Sequence, residues 1–351
     1  MTTSLDTIRV ALVNRNFAGT GVSHIGLGVT TSYTAKTLRR HGIRAEAWQV
    51  KTPAELTQRL RTAAAEGQPV SHVVIAALWI PTSDIAVLAG EFLDTVFAVV
   101  SHSAVGFLSA DPHAIRLLRE AADLQLMMHN VFIGGNARKF TDWATRTWSV
   151  NAAWLPNLYC LDEVFRRKRH WTGGPLRIGL FGANRPLKNF ISGAAAAAEL
   201  AVRLRVPIEL LISTGRTEGG SRRAVDEMVQ DVPGLTIRDV GWLSWPKFRA
   251  LLRHVDLVFQ VSYTESFNVV SADAVAEGVP VVGSDAIDWL PHWWQAKADE
   301  PREISRVAEQ LLRDPNASQD GLDALEAYVE AGLAAWAKFL TPPVAGIGGA
   351  A

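Results

Sequence analysis

Short apolar runs alternate along this chain with segments whose apolar positions recur every three to four residues. A short run bounded by turn residues suits a strand buried on both faces, and the spaced pattern suits a helix laid on a sheet. Ile8–Asn14 (IRVALVN) predicts the first strand, followed by a loop with Gly19, Gly21 and Gly26 and a helix to about His41. Further strands are predicted at Ile43–Trp48, His72–Leu78, Phe97–Ser101, Leu124–His129 and Ala152–Leu155. Between them, Pro53–Ala65, Pro112–Ala121 and Phe132–Thr145 read as helices.

The pattern then breaks. Arg166–His170 is charged and Thr172–Pro175 carries glycine and proline, which predicts a linker over residues 166–175. Beyond it the alternation restarts, with strands at Leu176–Phe181, Pro207–Ser213, Leu235–Asp239, Val255–Val261 and Val279–Gly283. Helices are predicted at Asn189–Leu204, Arg222–Val229, Trp245–Arg253, from near Phe267, and at Pro301–Arg313. A last helix, about Gly321–Leu340, precedes a tail over 342–351 that is expected to be disordered.

A chain of 351 residues exceeds what one hydrophobic core usually supports. The predicted class is therefore α/β, with two Rossmann-like doubly wound domains at 1–165 and 176–318, and the helix at 319–341 packing back toward the first. Two such domains are expected to hold a ligand in the cleft where the C-terminal ends of their sheets face each other.

Composition narrows the partners. Lys plus Arg and Asp plus Glu both number 35, so no net field draws in nucleic acid or an anionic membrane. The single cysteine, Cys160, forms no internal disulfide and argues against a structural zinc cluster; no metal site is expected. No basic segment with a long apolar stretch opens the chain, and the richest apolar run, Phe97–Leu108, is interrupted by Ser101, His102 and Ser103. A cytoplasmic protein without stable membrane insertion is the expectation. Twelve tryptophans, several in turn-like contexts (Trp242, Trp245, Trp289, Trp293, Trp294), suit stacking on sugar faces as well as ordinary core packing.

The segment Val261–Asp285 carries the most chemistry. A strand ends, a polar turn follows, and a helix begins near Phe267 and stops at Gly278. The amides of Ser266, Phe267, Asn268 and Val269 would lie at that helix's positive end, a binding place for phosphate or sugar oxygens. Glu265 stands at the mouth of the turn, and Asp273, eight residues on, is placed to accept from a ribose diol. As a plainer reading, Glu265 complements the helix dipole and Asp273 is a surface carboxylate. A second loop, Gly182-Ala183-Asn184-Arg185-Pro186-Leu187-Lys188-Asn189, puts Arg185 and Lys188 beside another helix start. Arginine as a bidentate fork and lysine as a compact charge suit a diphosphate.

The block Ser262, Glu265, Phe267, Ala274, Ala276, Gly278, Pro280 and Val281 resembles the donor-site signature of the GT-B glycosyltransferases, in particular the retaining family four with its Glu-x7-Glu motif. That resemblance implies transfer of a sugar from a nucleoside-diphosphate sugar, UDP- or GDP-linked, to an acceptor hydroxyl, with retention and without a metal or other cofactor. It gives Glu265 a contact with the donor sugar, Asp273 the ribose, and Arg185 and Lys188 the departing diphosphate. It likens Gly19-Thr20-Gly21 to the family's glycine loop, and His102 to a histidine that meets the donor sugar. Asp273 replaces a glutamate, Ser266 and Asn268 replace glycines, and the spacing from Arg185 to Lys188 is short. The acceptor stays open among glycan, lipid, small molecule and modified DNA base, the last disfavoured by the zero net charge.

Other classes compete with this reading. A nucleotide-sugar epimerase shares the fold, and a non-catalytic nucleotide or sugar binder would show the same site. An NAD-dependent oxidoreductase lacks its fingerprint, because His24 stands where the third glycine belongs.

Overall fold

The computed structural model describes residues 8–16, 25–110, 112–165, 171–213, 215 and 219–341. The chain divides into two compact units, Met1–Cys160 with Val329–Ala351, and Leu161–Tyr328. Gly19, Gly21 and the basic run 166–170 lie outside the described residues, as does the tail from residue 342.

In the first unit, β1 (Arg9–Arg15), β2 (Arg44–Val50), β3 (His72–Ala76), β4 (Val96–Ser101), β5 (Val131–Gly135) and β6 (Ala153–Trp154) form a parallel sheet. Its order is β2-β1-β3-β4-β5-β6, so the strand order reverses between β1 and β3. Successive side chains feed opposite faces, as the two-residue repeat of a strand requires. Ala11, Val13, Val73, Ile75, Phe97 and Val99 join one core, and Val10, Leu12, Val74, Ala98 and Val100 the other. The first core is closed by α2 (Pro53–Ala65), α3 (Thr82–Glu91), α4 (Pro112–Met127) and α5 (Arg138–Trp148). The second is covered by α1 (Ile25–Arg40) and the far half of α11 (Ala317–Leu340), through Leu38, Trp336 and Leu340. Gly332 lets that helix come close, because a Cβ there would meet Leu158 at 2.7 Å. The indole of Trp336 donates to the carbonyl of Pro156 at 2.9 Å.

One predicted strand is corrected. Leu124–His129 belongs mostly to α4, and the strand lies later, at Val131–Gly135. Leucine, glutamine and methionine are good helix formers, and the run extends the helix beyond its buried Leu124 to the exposed Leu126 and Met127. The β-branched Val131 and Ile133 make the strand, and the helix predicted from Phe132 therefore starts at Arg138. Asn130 anchors the connection, its amide donating to the carbonyls of Ala89, Phe92 and Thr95.

The second unit contains β7 (Leu176–Leu180), β8 (Ile208–Ile212), β9 (Leu235–Asp239), β10 (Leu257–Gln260) and β11 (Val281–Gly283). They form another parallel sheet in the order β11-β10-β7-β8-β9, with the reversal between β7 and β10. Its helices are α6 (Phe190–Leu204), α7 (Arg222–Val229), α8 (Trp245–Leu252), α9 (Val269–Ala276), α10 (Pro301–Arg313) and the near part of α11. Ala194, Ala196 and Ala197 of α6 are fully buried, and a Cβ on Gly193 would meet Leu180 at 2.8 Å. Small residues are what permit that close approach of helix to sheet. The α/β, doubly wound class is as predicted.

His72, at the start of β3, offers a stability test. The Ser71 hydroxyl donates to the Arg9 carbonyl, so at 3.0 Å it accepts from His72 Nδ1. The ring lies 5.5 Å from Phe339, and burial pushes its pKa down to about 4. The unfolded chain takes the proton near pH 6.5, the folded chain only near 4, so stability falls as pH drops through that window. Acidification from pH 7 to 5 is expected to remove about 2 kcal/mol through this residue. The thermal midpoint of His72→Phe should fall less over that interval than that of the wild type; equal falls would contradict the assignment.

Candidate functional site

The reversal of strand order in the second unit makes β7 and β10 neighbours, and the chains leaving their C-terminal ends start side by side. In open α/β sheets ligands bind at such a point. The loop after β7 runs through Gly182, whose φ of +117° is glycine's own, into a 3-10 turn at Pro186–Lys188 entered by an extended Arg185. Asn189 closes that turn at φ +54° and leads into α6. The loop after β10 runs from Val261 to Asn268, which takes φ +59° and caps α9 by accepting from the Ser271 N–H at 2.9 Å.

Three contacts stitch the two loops together. The Tyr263 N–H donates to the Leu187 carbonyl at 2.9 Å, and the Asn189 amide donates to the Val261 carbonyl at 3.0 Å. Lys188 Nζ forms an ion pair with Glu265 Oε1. The lysine side chain is 21% exposed and the glutamate 9%, so the pair lies at a half-buried surface. The structure thus brings two of the predicted site residues into direct contact.

Glu265 is held asymmetrically. Oε1 accepts from Lys188 Nζ, from Ser262 Oγ at 2.8 Å and from Asn268 Nδ2 at 3.0 Å. One oxygen is fixed by three donors, and the other has none among the described residues. Arg185 and Gly182 sit in the partner loop, and Gly182 exchanges hydrogen bonds with the Ser213 hydroxyl.

Other predicted residues are placed differently. The helix begins at Val269, two residues later than expected, because Asn268 in the left-handed region stops it from starting earlier. Ser266 is half-buried in the turn, and Val269 opens the helix. Phe267 is 2% exposed; its ring stacks on Tyr328 at 5.2 Å and its carbonyl accepts from the Trp289 indole at 2.6 Å. Its side chain is therefore core. Asp273 is not a surface carboxylate. It is 2% exposed, and its two oxygens accept from the Trp245 indole N–H at 3.1 and 3.2 Å. Trp289 and Trp294 are likewise buried, whereas Trp242 and Trp293 are exposed.

His102 lies in the first unit, just past the end of β4. Asn136, just past the neighbouring β5, donates its amide to His102 Nδ1 at 2.6 Å, which puts the ring proton on Nε2. Burial pushes the pKa down to about 4, so at neutral pH the ring is an uncharged donor. Among the described residues no three His, Cys, Asp or Glu side chains gather as a metal site would. A cavity of about 700 Å³ opens at the other end of the second sheet, against Leu176, Ile208 and Leu235, and holds none of the predicted residues.

No protein-family description matches the sequence, and no curated protein does. Solved structures do match. A sucrose-phosphate synthase from Thermosynechococcus elongatus is 15% identical with a TM-score of 0.63, covering 95% of this chain and 98% of its own. A trehalose-6-phosphate synthase, studied for glycosyl transfer with retention, is 11% identical with a TM-score of 0.57, over 96% and 99%. The chain has the GT-B fold. The S. aureus enzyme TarM, solved with UDP and alpha-GlcNAc-glycerol among its ligands, is 12% identical with a TM-score of 0.57. The match covers 77% of this chain, which spans only 55% of TarM.

Gln260 is not among the predicted site residues, and Ser262 and Trp245 are predicted only as part of the donor-site block and as a turn tryptophan suited to sugar stacking. A polar residue ending an otherwise apolar strand, Leu257–Gln260, is the one signal that marks Gln260. The Trp245 contact yields a test. Trp245→Phe removes a donor from a buried carboxylate and should lower unfolding stability by about 1–3 kcal/mol. An unchanged denaturation midpoint would show that the indole does not serve Asp273.

Proposed function

We propose that this chain is a glycosyltransferase that moves a sugar, with retention, from a nucleoside-diphosphate sugar to an acceptor hydroxyl. The observation that carries this reading is the fastening of Lys188 to Glu265 between two loops at a strand-order reversal, with one glutamate oxygen fixed and the other open. The GT-B fold supports it, as do the UDP in TarM and the retention studied in trehalose-6-phosphate synthase.

In the proposed reaction the bond from the sugar's anomeric carbon to the diphosphate breaks, and the acceptor oxygen bonds to that carbon on the same face. The acceptor proton passes to the leaving diphosphate. Lys188 gives one of its three hydrogens to Glu265 and keeps two for phosphate oxygens. Arg185 and the free amides at the start of α9 add positive charge where the leaving group gains negative charge. A cation about 4 Å from that charge contributes on the order of 4 kcal/mol at an effective dielectric near 20. Glu265 Oε2 accepts from sugar hydroxyls. Asp273 receives the ribose. UDP- and GDP-sugars are the proposed donors, no metal is required, and the setting is cytoplasmic, which keeps the buried thiol of Cys160 reduced.

The test is a panel of nucleotide sugars and acceptors with EDTA present, read by mass spectrometry for glycosylated product and for released nucleoside diphosphate. Transfer is expected with at least one donor. Lys188→Ala should lower turnover at least about a hundredfold, a loss of about 2.7 kcal/mol in the barrier, with the fold kept. Asp273→Asn should raise KM for the donor more than it lowers kcat. Binding of nucleotide without turnover, or conversion of the donor sugar with no acceptor present, would overturn the proposal.

A further inference from the structure

Gln260 ends β10 and is 3% exposed. A primary amide buried there is costly unless both of its ends are bonded. Its Nε2 donates to the Phe181 carbonyl at 2.9 Å, and its Oε1 accepts from Asn268 Nδ2 at 2.9 Å. The same Asn268 nitrogen donates to Glu265 Oε1 at 3.0 Å, while Asn268 Oδ1 accepts from the Ser271 N–H.

The order of donors and acceptors along this line is fixed from one end. A backbone carbonyl only accepts, so the Gln260 nitrogen faces Phe181 and the Gln260 oxygen faces Asn268. That oxygen only accepts, so the Asn268 nitrogen faces it and spends its second hydrogen on Glu265. The helix amide of Ser271 only donates, which holds the other end of the Asn268 amide in the same sense. Each hydrogen of the Asn268 amide has one acceptor, and neither amide can rotate without leaving a buried group unbonded. The line thus runs from the end of β7, through the end of β10 and the cap of α9, to the fixed oxygen of Glu265.

We infer that Gln260 is a positioning residue for sugar transfer: acting through Asn268, it orients Glu265 so that Oε2 faces the donor sugar. This rests on the function proposed above and adds a residue that touches no substrate. Gln260 itself bonds Phe181 and Asn268 and neither Lys188 nor an α9 amide, so loss of the relay is expected to misplace the sugar's partner more than it weakens nucleotide binding.

Gln260→Met keeps the length and removes the amide. Its kcat for the donor identified by the panel is expected to fall at least tenfold, while the affinity for free nucleoside diphosphate changes less than twofold. Asn268→Gly keeps the left-handed backbone and removes the middle of the relay, so adding Gln260→Met to it should lower kcat no further. Additive losses, or parallel losses of kcat and nucleotide affinity, would overturn the inference, the second because a structural role predicts it. If the wild type transfers no sugar from any donor, the proposed function fails. Hydrogen exchange then reads the relay by itself: amides of residues 262–268 should quicken at least tenfold in either single variant and no more in the double, and unchanged exchange removes the relay as well.

Discussion

The parallel pairing of β7 with β10 is the constraint on which the site depends. Ile178, Gly179 and Leu180 lie opposite Leu257, Val258 and Phe259, so both chains reach the sheet's edge together, about 5 Å apart. Helices that follow strands on either side of a reversal pack on opposite faces, which makes the two loops diverge immediately after they emerge. A crevice opens between them, and backbone groups that a continuing ladder would have paired need other partners. Asn189 reaches across to the Val261 carbonyl, Tyr263 to Leu187 and Gln260 to Phe181. The polar network is a consequence of where the sheet reverses.

Two asparagines do what glycine often does in such loops. Asn189 and Asn268 both hold positive φ, a region that costs most side chains about 1–2 kcal/mol and asparagine less. Each then uses its amide as a fastener, which glycine cannot. Asn189 donates to Val261 and to Ala298, and Asn268 caps α9 while bonding Gln260 and Glu265. The result is a loop with less freedom to lose on binding than a glycine loop has. The Lys188–Glu265 pair adds placement more than stability, since desolvation offsets much of the attraction in a half-buried ion pair.

Much of the fold was legible because it depends on local patterns. Apolar runs with β-branched residues located β1, β3, β4 and β8 to within two residues at either end, and α2, α7 and α10 begin and end where their periodicity does. The misplaced strand at Leu124–His129 shows the limit: an apolar run long enough for a strand also continues a helix, and side-chain branching decides between them. In the site, Glu265 and Lys188 stood out through charge beside helix starts. Gln260 and Trp245 did not, because their importance lies in contacts made across the fold. The indole that meets Asp273 comes from 28 residues away, and the carbonyl that orients Gln260 from 79. Spacing along a chain carries no record of such pairs.

Trp245 changes what Asp273 is able to do. A carboxylate has about four lone-pair positions, and a ribose diol that bonds it usually takes two. Here one indole N–H is split over both oxygens, in a group only 2% exposed. A nucleoside that uses this carboxylate must share it with the indole or move the indole aside. Either way, the half-buried Trp245 limits what else Asp273 accepts from. What this carboxylate accepts from therefore depends on the tryptophan that donates to it.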